Sequence, residues 1–218
     1  MRIKTIAKEM TNGSEEEMEI SASMVKQLRE KTGAPMMDCK KALVESSGNL
    51  EKAIVYLRQK SLTIAAKKSV RVATEGVISS YIHPGSKLGV ILELNCESDF
   101  VAQNDDFKEL SKNMVMHIAA LNPLCINRDD VRPDVIEKER EIYLTQAKNS
   151  GKPDKIWDKI VDGRMEKFFS EVCLMEQKYI KDDKLTIKDV VNEVIAKLGE
   201  NVSVRRFVRY QLGEELTQ

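Results

Sequence analysis

Three short apolar stripes at helical spacing, separated by joints of only a few residues, constrain this chain more than any other feature. Val25 and Leu28 mark one side of a first run that ends at Gly33. Met36, Cys39 and Leu43 repeat at intervals of three and four in a second run, and Leu50, Ala53, Ile54 and Leu57 share one face of a third. The punctuation agrees with this pattern. Ser23 is suited to cap the first helix and Gly33 to follow its end. Pro35 opens the second helix, where its missing N–H costs nothing, and Gly48 closes it. Asn49 caps the third. Helices joined this tightly must pack on one another, so residues 23–60 are expected to form a three-helix bundle. Its core is small, and its stability alone is expected to be marginal.

The texture then changes. Residues 61–75 form a charged linker with few large apolar groups, readable either as a helix or as a flexible strap. Val77 to Ile82 and Leu88 to Leu94 are β-like runs around the turn His83-Pro84-Gly85-Ser86, which together read as an antiparallel hairpin. Phe107, Leu110, Met114, Ile118 and Leu121 mark a long helix that Asn122-Pro123 stops. Residues 134–175 are helical again, with breaks at Ser150-Gly151-Lys152-Pro153 and near Gly163, and suggest a projecting helical hairpin. A short strand is expected near Leu185 to Ile187. A helix on Val190, Val191, Val194, Ile195 and Leu198 follows. A last strand runs from Val202 to Tyr210, with Val202, Val204, Val208 and Tyr210 on one side and Arg206 interrupting them. The fold class is therefore α+β. A flexible tail over residues 1–22 and the linker flank the bundle, and a core domain over residues 76–213 has a small antiparallel sheet packed by helices.

Composition narrows the function. The 218 residues carry 35 Lys plus Arg against 35 Asp plus Glu, so no net basic field holds nucleic acid by counterion release. Five Phe, five Tyr and one Trp give little stacking surface for RNA. Apolar residues at 42% and charged residues at 32% fit a helix-rich globular chain. No apolar run approaches the roughly 20 residues that span a bilayer. Arg2, Lys4 and Lys8 precede no apolar stretch, so no secretory signal is read there, and the acidic cluster of Glu15, Glu16, Glu17 and Glu19 argues against an organelle leader. The four cysteines lack C-x-x-C spacing and the chain has two histidines, which disfavours zinc. A reducing cytoplasm is the expected setting.

No phosphate-binding loop, dinucleotide fingerprint, H-E-x-x-H or nucleophile elbow is present. No cofactor or metal is implied, and the chain reads as a binding protein rather than an enzyme. Two segments stand out. Leu28 to Leu43 contains a tight turn followed by the adjacent pair Met36-Met37. Helical neighbours point about 100° apart, so at most one of the two can enter the bundle core. In the plain reading Met36 is core and Met37 half-exposed; in the other, the pair is an adaptable contact for a partner. Glu93 to Val101 places a strand end against a helical start. In the plain reading Ser98 or Asp99 is an N-cap and Phe100 is core. In the other, Asp99 and an exposed Phe100 form a wedge for a partner protein.

These two segments resemble the signatures of the elongation factor Ts family: the N-terminal one, and the Thr-Asp-Phe-Val motif, here Ser98-Asp99-Phe100-Val101. The similarity extends through Tyr81-Ile82-His83, Leu88-Gly89-Val90, Met116-His117-Ile118-Ala119, Ser150-Gly151-Lys152-Pro153, Gly163-Arg164 and Val204-Arg205-Arg206-Phe207. It covers residues 23 to 213. The resemblance implies a guanine-nucleotide exchange factor in translation elongation, which binds elongation factor Tu carrying GDP and promotes GDP release by displacing magnesium. By carry-over Asp99 and Phe100 are the wedge and Ser98 and Val101 hold it. Met36, Met37 and His83 are docking contacts, and the bundle resembles ubiquitin-associated domains.

Two positions depart from the family pattern. Ser98 stands where Thr is usual and keeps the hydroxyl, while Pro35 replaces a usual Gly and stiffens the turn before Met36. The chain holds one copy of a core subdomain that longer relatives carry twice. Short relatives tend to be homodimers, which implies a two-to-two complex; with Val208 where some of them place a linking Cys, the dimer is expected to be non-covalent. The alternatives are a non-catalytic protein-binding module built on the bundle, an enzyme using Cys96, Asp99 and a histidine, and an RNA-binding protein.

Overall fold

Helix α1, Ala22–Thr32, opens the computed structural model, which describes residues 20–215. The expected tail therefore lies outside the described residues up to position 19. Its end is displaced, because the cap of α1 is Ser21 rather than Ser23. The Ser21 hydroxyl accepts the Met24 N–H at 3.3 Å. Ile20, just before the cap, joins the apolar cluster that buries Val25. That pairing of the residue before the cap with the fourth helical residue fixes where the chain enters the helix, and it selects between two nearby serines. Helices α2, Met36–Glu45, and α3, Leu50–Lys68, follow. Leu28, Cys39, Ala42, Leu43 and Ala53 are fully buried among the three helices.

Two compact units divide within α3, between Leu57 and Arg58. The helix continues through Lys68, so the first part of the expected linker is helical. The reason is Ala65, buried in the core of the second unit with Ile64 packed beside it. A small residue suffices where the neighbours come close. Arg58 is also tied to Asp189 by a bidentate pair, Nε donating to Oδ1 at 3.2 Å and Nη2 to Oδ2.

The second unit is built on a three-stranded antiparallel sheet in the order β1-β2-β5, where β1 is Glu75–Ile82, β2 is Leu88–Cys96 and β5 is Val202–Gln211. Its inner face packs Val90, Leu92 and Leu94 against α5, Asp105–Leu121, and α8, Ile187–Leu198. Strand β5 carries a bulge. Leu94 pairs with Val204 and Glu93 with Arg206, leaving Arg205 as the extra residue. The bulge reverses the alternation beyond it. Val202 and Val204 face the core, as does Phe207, while Val208 and Tyr210 point outward. The expected single apolar side of this strand is thus split between two faces.

Between α5 and α8 lie α6, Pro133–Lys148, and α7, Trp157–Val172, packed on each other around Ala147, Val161, Met165 and Phe168. The turn at 149–153 separates them as expected, and the Trp157 indole N–H closes it on the Lys152 carbonyl at 3.0 Å. Gly163 breaks nothing and sits inside α7. A small hairpin, β3 Lys178–Tyr179 with β4 Asp182–Thr186, leads into α8, whose capping box is Thr186 and Asp189. His117 is fully buried on α5. Its Nδ1 accepts the Ile180 N–H at 3.3 Å, so its proton sits on Nε2 and is donated to Gln177 Oε1 at 3.0 Å. Burial holds its pKa below the usual histidine range, and its role is structural.

Candidate functional site

Strand β2 ends at Cys96, and the chain turns through Glu97 and Ser98 into the single helical turn α4, Asp99–Ala102. Ser98 is extended, with φ −131° and ψ 155°, and its hydroxyl accepts the Val101 N–H at 3.3 Å. Val101 and Ala102 enter the core of the second unit. Successive helical residues point about 100° apart, so a turn that buries these two directs the preceding two into solvent. Asp99 is exposed, and Phe100 is 79% exposed. Of the two readings of this corner, the N-cap part of the plain one holds and its buried Phe100 does not.

The corner is anchored electrostatically. Glu97 Oε1 accepts the Asn201 N–H at 2.6 Å, and Oε2 lies 3.4 Å from Arg71 Nη1. These contacts, the Asn201 N–H first, hold the Glu97 carboxyl below the usual glutamate range. Glu200 accepts hydrogen bonds from Ser98. Sequence reasoning missed Glu97, Glu200 and Asn201. The only local signal was an acidic residue next to Gly199 at the start of a strand, which says nothing of a partner 102 residues away.

The other singled-out residues lie elsewhere. Met36 and Met37 form the first turn of α2 in the first unit, 55% and 74% exposed. Neither is core, and the buried side of α2 is Cys39, Ala42 and Leu43. His83 follows β1 in the hairpin turn, where Tyr81 Oη and His83 Nδ1 are 2.9 Å apart. Along β2, roughly 3.3 Å per residue over eight steps puts this turn about 26 Å from the Ser98 corner. His83 is exposed, like Met36 and Met37.

This geometry leaves no thiol chemistry at the corner. Cys96 is fully buried, its Sγ–H directed to the Ser98 carbonyl at 3.1 Å, and burial pushes its thiol pKa up. Neither histidine has a hydrogen bond to it. Among the described residues no group of three or more His, Cys, Asp and Glu side chains is placed to hold a metal ion. No helix among them is long and apolar enough to cross a membrane.

What remains is a presented aromatic on a braced turn, and comparison with known proteins assigns its family. The family model described as elongation factor TS matches residues 13–215. The chain belongs to the elongation factor Ts family. It is 60% identical over 198 residues to elongation factor Ts of Desulforamulus reducens, covering 91% of each chain. It is 56% identical over 199 residues to that of Carboxydothermus hydrogenoformans, covering 91% of this chain and 92% of the relative. The match to elongation factor Ts of Nitratidesulfovibrio vulgaris is 57% over 198 residues, covering 99% of the relative. As an elongation factor Ts family member the chain is a translation elongation factor, not an enzyme acting on a substrate bond.

Proposed function

We propose that this elongation factor Ts chain is a guanine-nucleotide exchange factor that acts on elongation factor Tu carrying GDP. The observation that carries the reading is Phe100, a large aromatic held in water on a turn whose next two residues are locked into the core. A rigidly presented aromatic can fill a partner's pocket with little ordering cost. The adjacent Asp99 carboxylate disturbs the partner's magnesium site, where the ion is the largest local charge holding the nucleotide phosphates. Ser98 and Val101 hold the wedge. Met36 and Met37 suit an adaptable docking contact on the partner's nucleotide-binding domain through the three-helix, ubiquitin-associated-like bundle. His83 adds a further contact at the hairpin turn. Exchange needs no base, nucleophile or cofactor. It works in the cytoplasm, and the balanced charge gives no reason for direct nucleic-acid binding.

An exchange factor must bind the nucleotide-free partner more tightly than the GDP-bound one, because the coupling is reciprocal. Titration calorimetry should give an affinity for nucleotide-free elongation factor Tu tighter by a factor on the order of 100 than for the GDP-bound form. Equal affinities would instead describe a plain protein-binding module.

The outer face of the sheet supports a homodimer. Ile78, Ile82, Ile91, Val208 and Tyr210 are exposed there, with Ile91 paired to Val208 and Gly89 to Tyr210. A contiguous apolar sheet face in water marks an interface. A second copy is the occupant we propose: under a two-fold axis the same face covers itself, and the Glu93–Arg206 pair at 2.7 Å on its border can exchange partners across the axis. With one dimer per two partner molecules, the complex is two-to-two. Light scattering should give the mass of two chains for the wild type and of one chain for Ile91→Lys. A wild type with the mass of one chain, or an Ile91→Lys dimer, would contradict this.

A further inference from the structure

The turn carrying Phe100 is oriented by a residue that belongs to the other end of the unit. Glu200 follows Gly199, which ends α8, and precedes β5. Its carboxylate takes both donors of Ser98: the backbone N–H at 3.0 Å on Oε2 and the hydroxyl at 2.7 Å on Oε1. A serine hydroxyl has one proton and two lone pairs. With that proton committed to Glu200, a lone pair faces the Val101 N–H, which it accepts at 3.3 Å. Both Glu200 contacts are charge-assisted, the stronger class of hydrogen bond.

The bracing is reciprocal. Glu97 accepts the Asn201 N–H at 2.6 Å, and Asn201 Nδ2 donates to the Arg71 carbonyl at 2.7 Å. Two consecutive residues on each side, Glu97-Ser98 and Glu200-Asn201, thus exchange bonds crosswise. The residue type at position 98 sharpens the point. Threonine is stiff at χ1 because it is branched at Cβ, and serine is not. Ser98 lacks that internal restraint, and the carboxylate supplies one from outside.

We infer that Glu200 is a positioning residue for the wedge: it fixes the Ser98 cap, and the cap fixes the direction in which Asp99 and Phe100 leave the fold. This rests on the reading that the 98–101 corner drives GDP release. Glu200 itself acts through Ser98, so its loss is felt only through the wedge.

The test uses the full chain as Glu200→Ala, Glu200→Gln, Phe100→Ala and the double variant Glu200→Ala/Phe100→Ala. Release of a fluorescent GDP analogue from elongation factor Tu and hydrogen exchange at the Val101 amide are followed, with circular dichroism to check folding. Glu200→Ala is expected to slow release about tenfold, the effect of losing a charge-assisted pair, and to speed exchange at the Val101 amide. Glu200→Gln should recover part of both, since it keeps one acceptor for the two Ser98 donors. In the Phe100→Ala background Glu200→Ala should cost much less than in the wild type, since Asp99 is then the one part of the wedge left to misplace. If the two losses multiply, or if Glu200→Ala leaves release and the Val101 amide unchanged while Phe100→Ala slows release, the inference is overturned. If Phe100→Ala itself has no effect, the exchange reading of the corner fails, and the Val101 amide still decides whether Glu200 orients the turn. Should Glu200→Ala fail to fold, Glu200→Gln carries the test: partial slowing with faster Val101 exchange supports the inference, and wild-type behaviour in both overturns it.

Discussion

Gly76→Ala should destabilise the second unit by about 3–5 kcal/mol, from backbone strain and overpacking acting together. Gly76 lies on β1 opposite Asn95, with φ +147°, a conformation that side chains rarely adopt. A Cβ there would stand 2.1 Å from the Leu94 carbonyl oxygen and 2.7 Å from the Asn95 Cα. Both are backbone atoms of the central strand, so neither can swing aside. A loss of this size is a large share of the roughly 5–15 kcal/mol that holds a domain folded, and should lower the melting midpoint by about 10 °C or more. Gly163→Ala is the control. Inside α7 an added Cβ meets nothing within 4 Å, so helix propensity should stabilise it by about 0.5–1 kcal/mol. Thermal unfolding of both variants checks the pair; a Gly76→Ala midpoint within a degree of wild type would contradict the packing described for this strand.

Phe100→Ala should slow GDP release from elongation factor Tu by about 30- to 1,000-fold, the range of a buried aromatic anchor removed from an interface at about 2–4 kcal/mol. Its own stability should change by no more than about 0.5 kcal/mol, because an exposed side chain makes few contacts within the fold. Val101→Ala acts first on the fold and reaches release only through the turn it anchors. Val101 is 5% exposed and belongs to the core, so truncating it should cost about 1–3 kcal/mol of stability. One turn therefore divides into a residue that meets the partner and one that holds the turn to the core. Release kinetics set beside denaturation midpoints separate them, and a Phe100→Ala variant with wild-type release would remove Phe100 from the mechanism.

Local chemistry made much of the fold legible. The helices of the first unit, the hairpin around His83 and the long α5 follow from periods and punctuation that neighbours in sequence impose on one another. The failures have long-range causes. The continuation of α3 to Lys68 depends on Ala65 reaching the core of the second unit, and no rule of apolar spacing weights a single alanine so heavily. The bulge at Arg205 depends on how β5 registers on β2. Without it Val208 and Tyr210 would share a face with Val204. With it they join Ile78, Ile82 and Ile91 in an outward apolar surface.

The corner shows the same division. The cap at Ser98 was legible, since a hydroxyl at the start of a helical turn is a local matter. Whether Phe100 points in or out was not, because four residues are too few for a periodicity. Burial of Val101 and Ala102 settles it. The Glu200 carboxylate on Ser98 closes across 102 residues, and only the paired strands bring it there. Met36 illustrates a subtler miss: its spacing with Cys39 and Leu43 fits a core stripe, yet at the first turn of α2 it lies beyond the end of the buried cluster.

The most direct measurement loads elongation factor Tu with a fluorescent GDP analogue, chases with excess GDP and adds the wild-type chain in trace amounts. If this protein is an exchange factor, release accelerates in proportion to the trace added, each chain serving many partner molecules. If a folded wild-type chain leaves the release rate unchanged, it does not exchange nucleotide, and the exposed Phe100 serves some other contact.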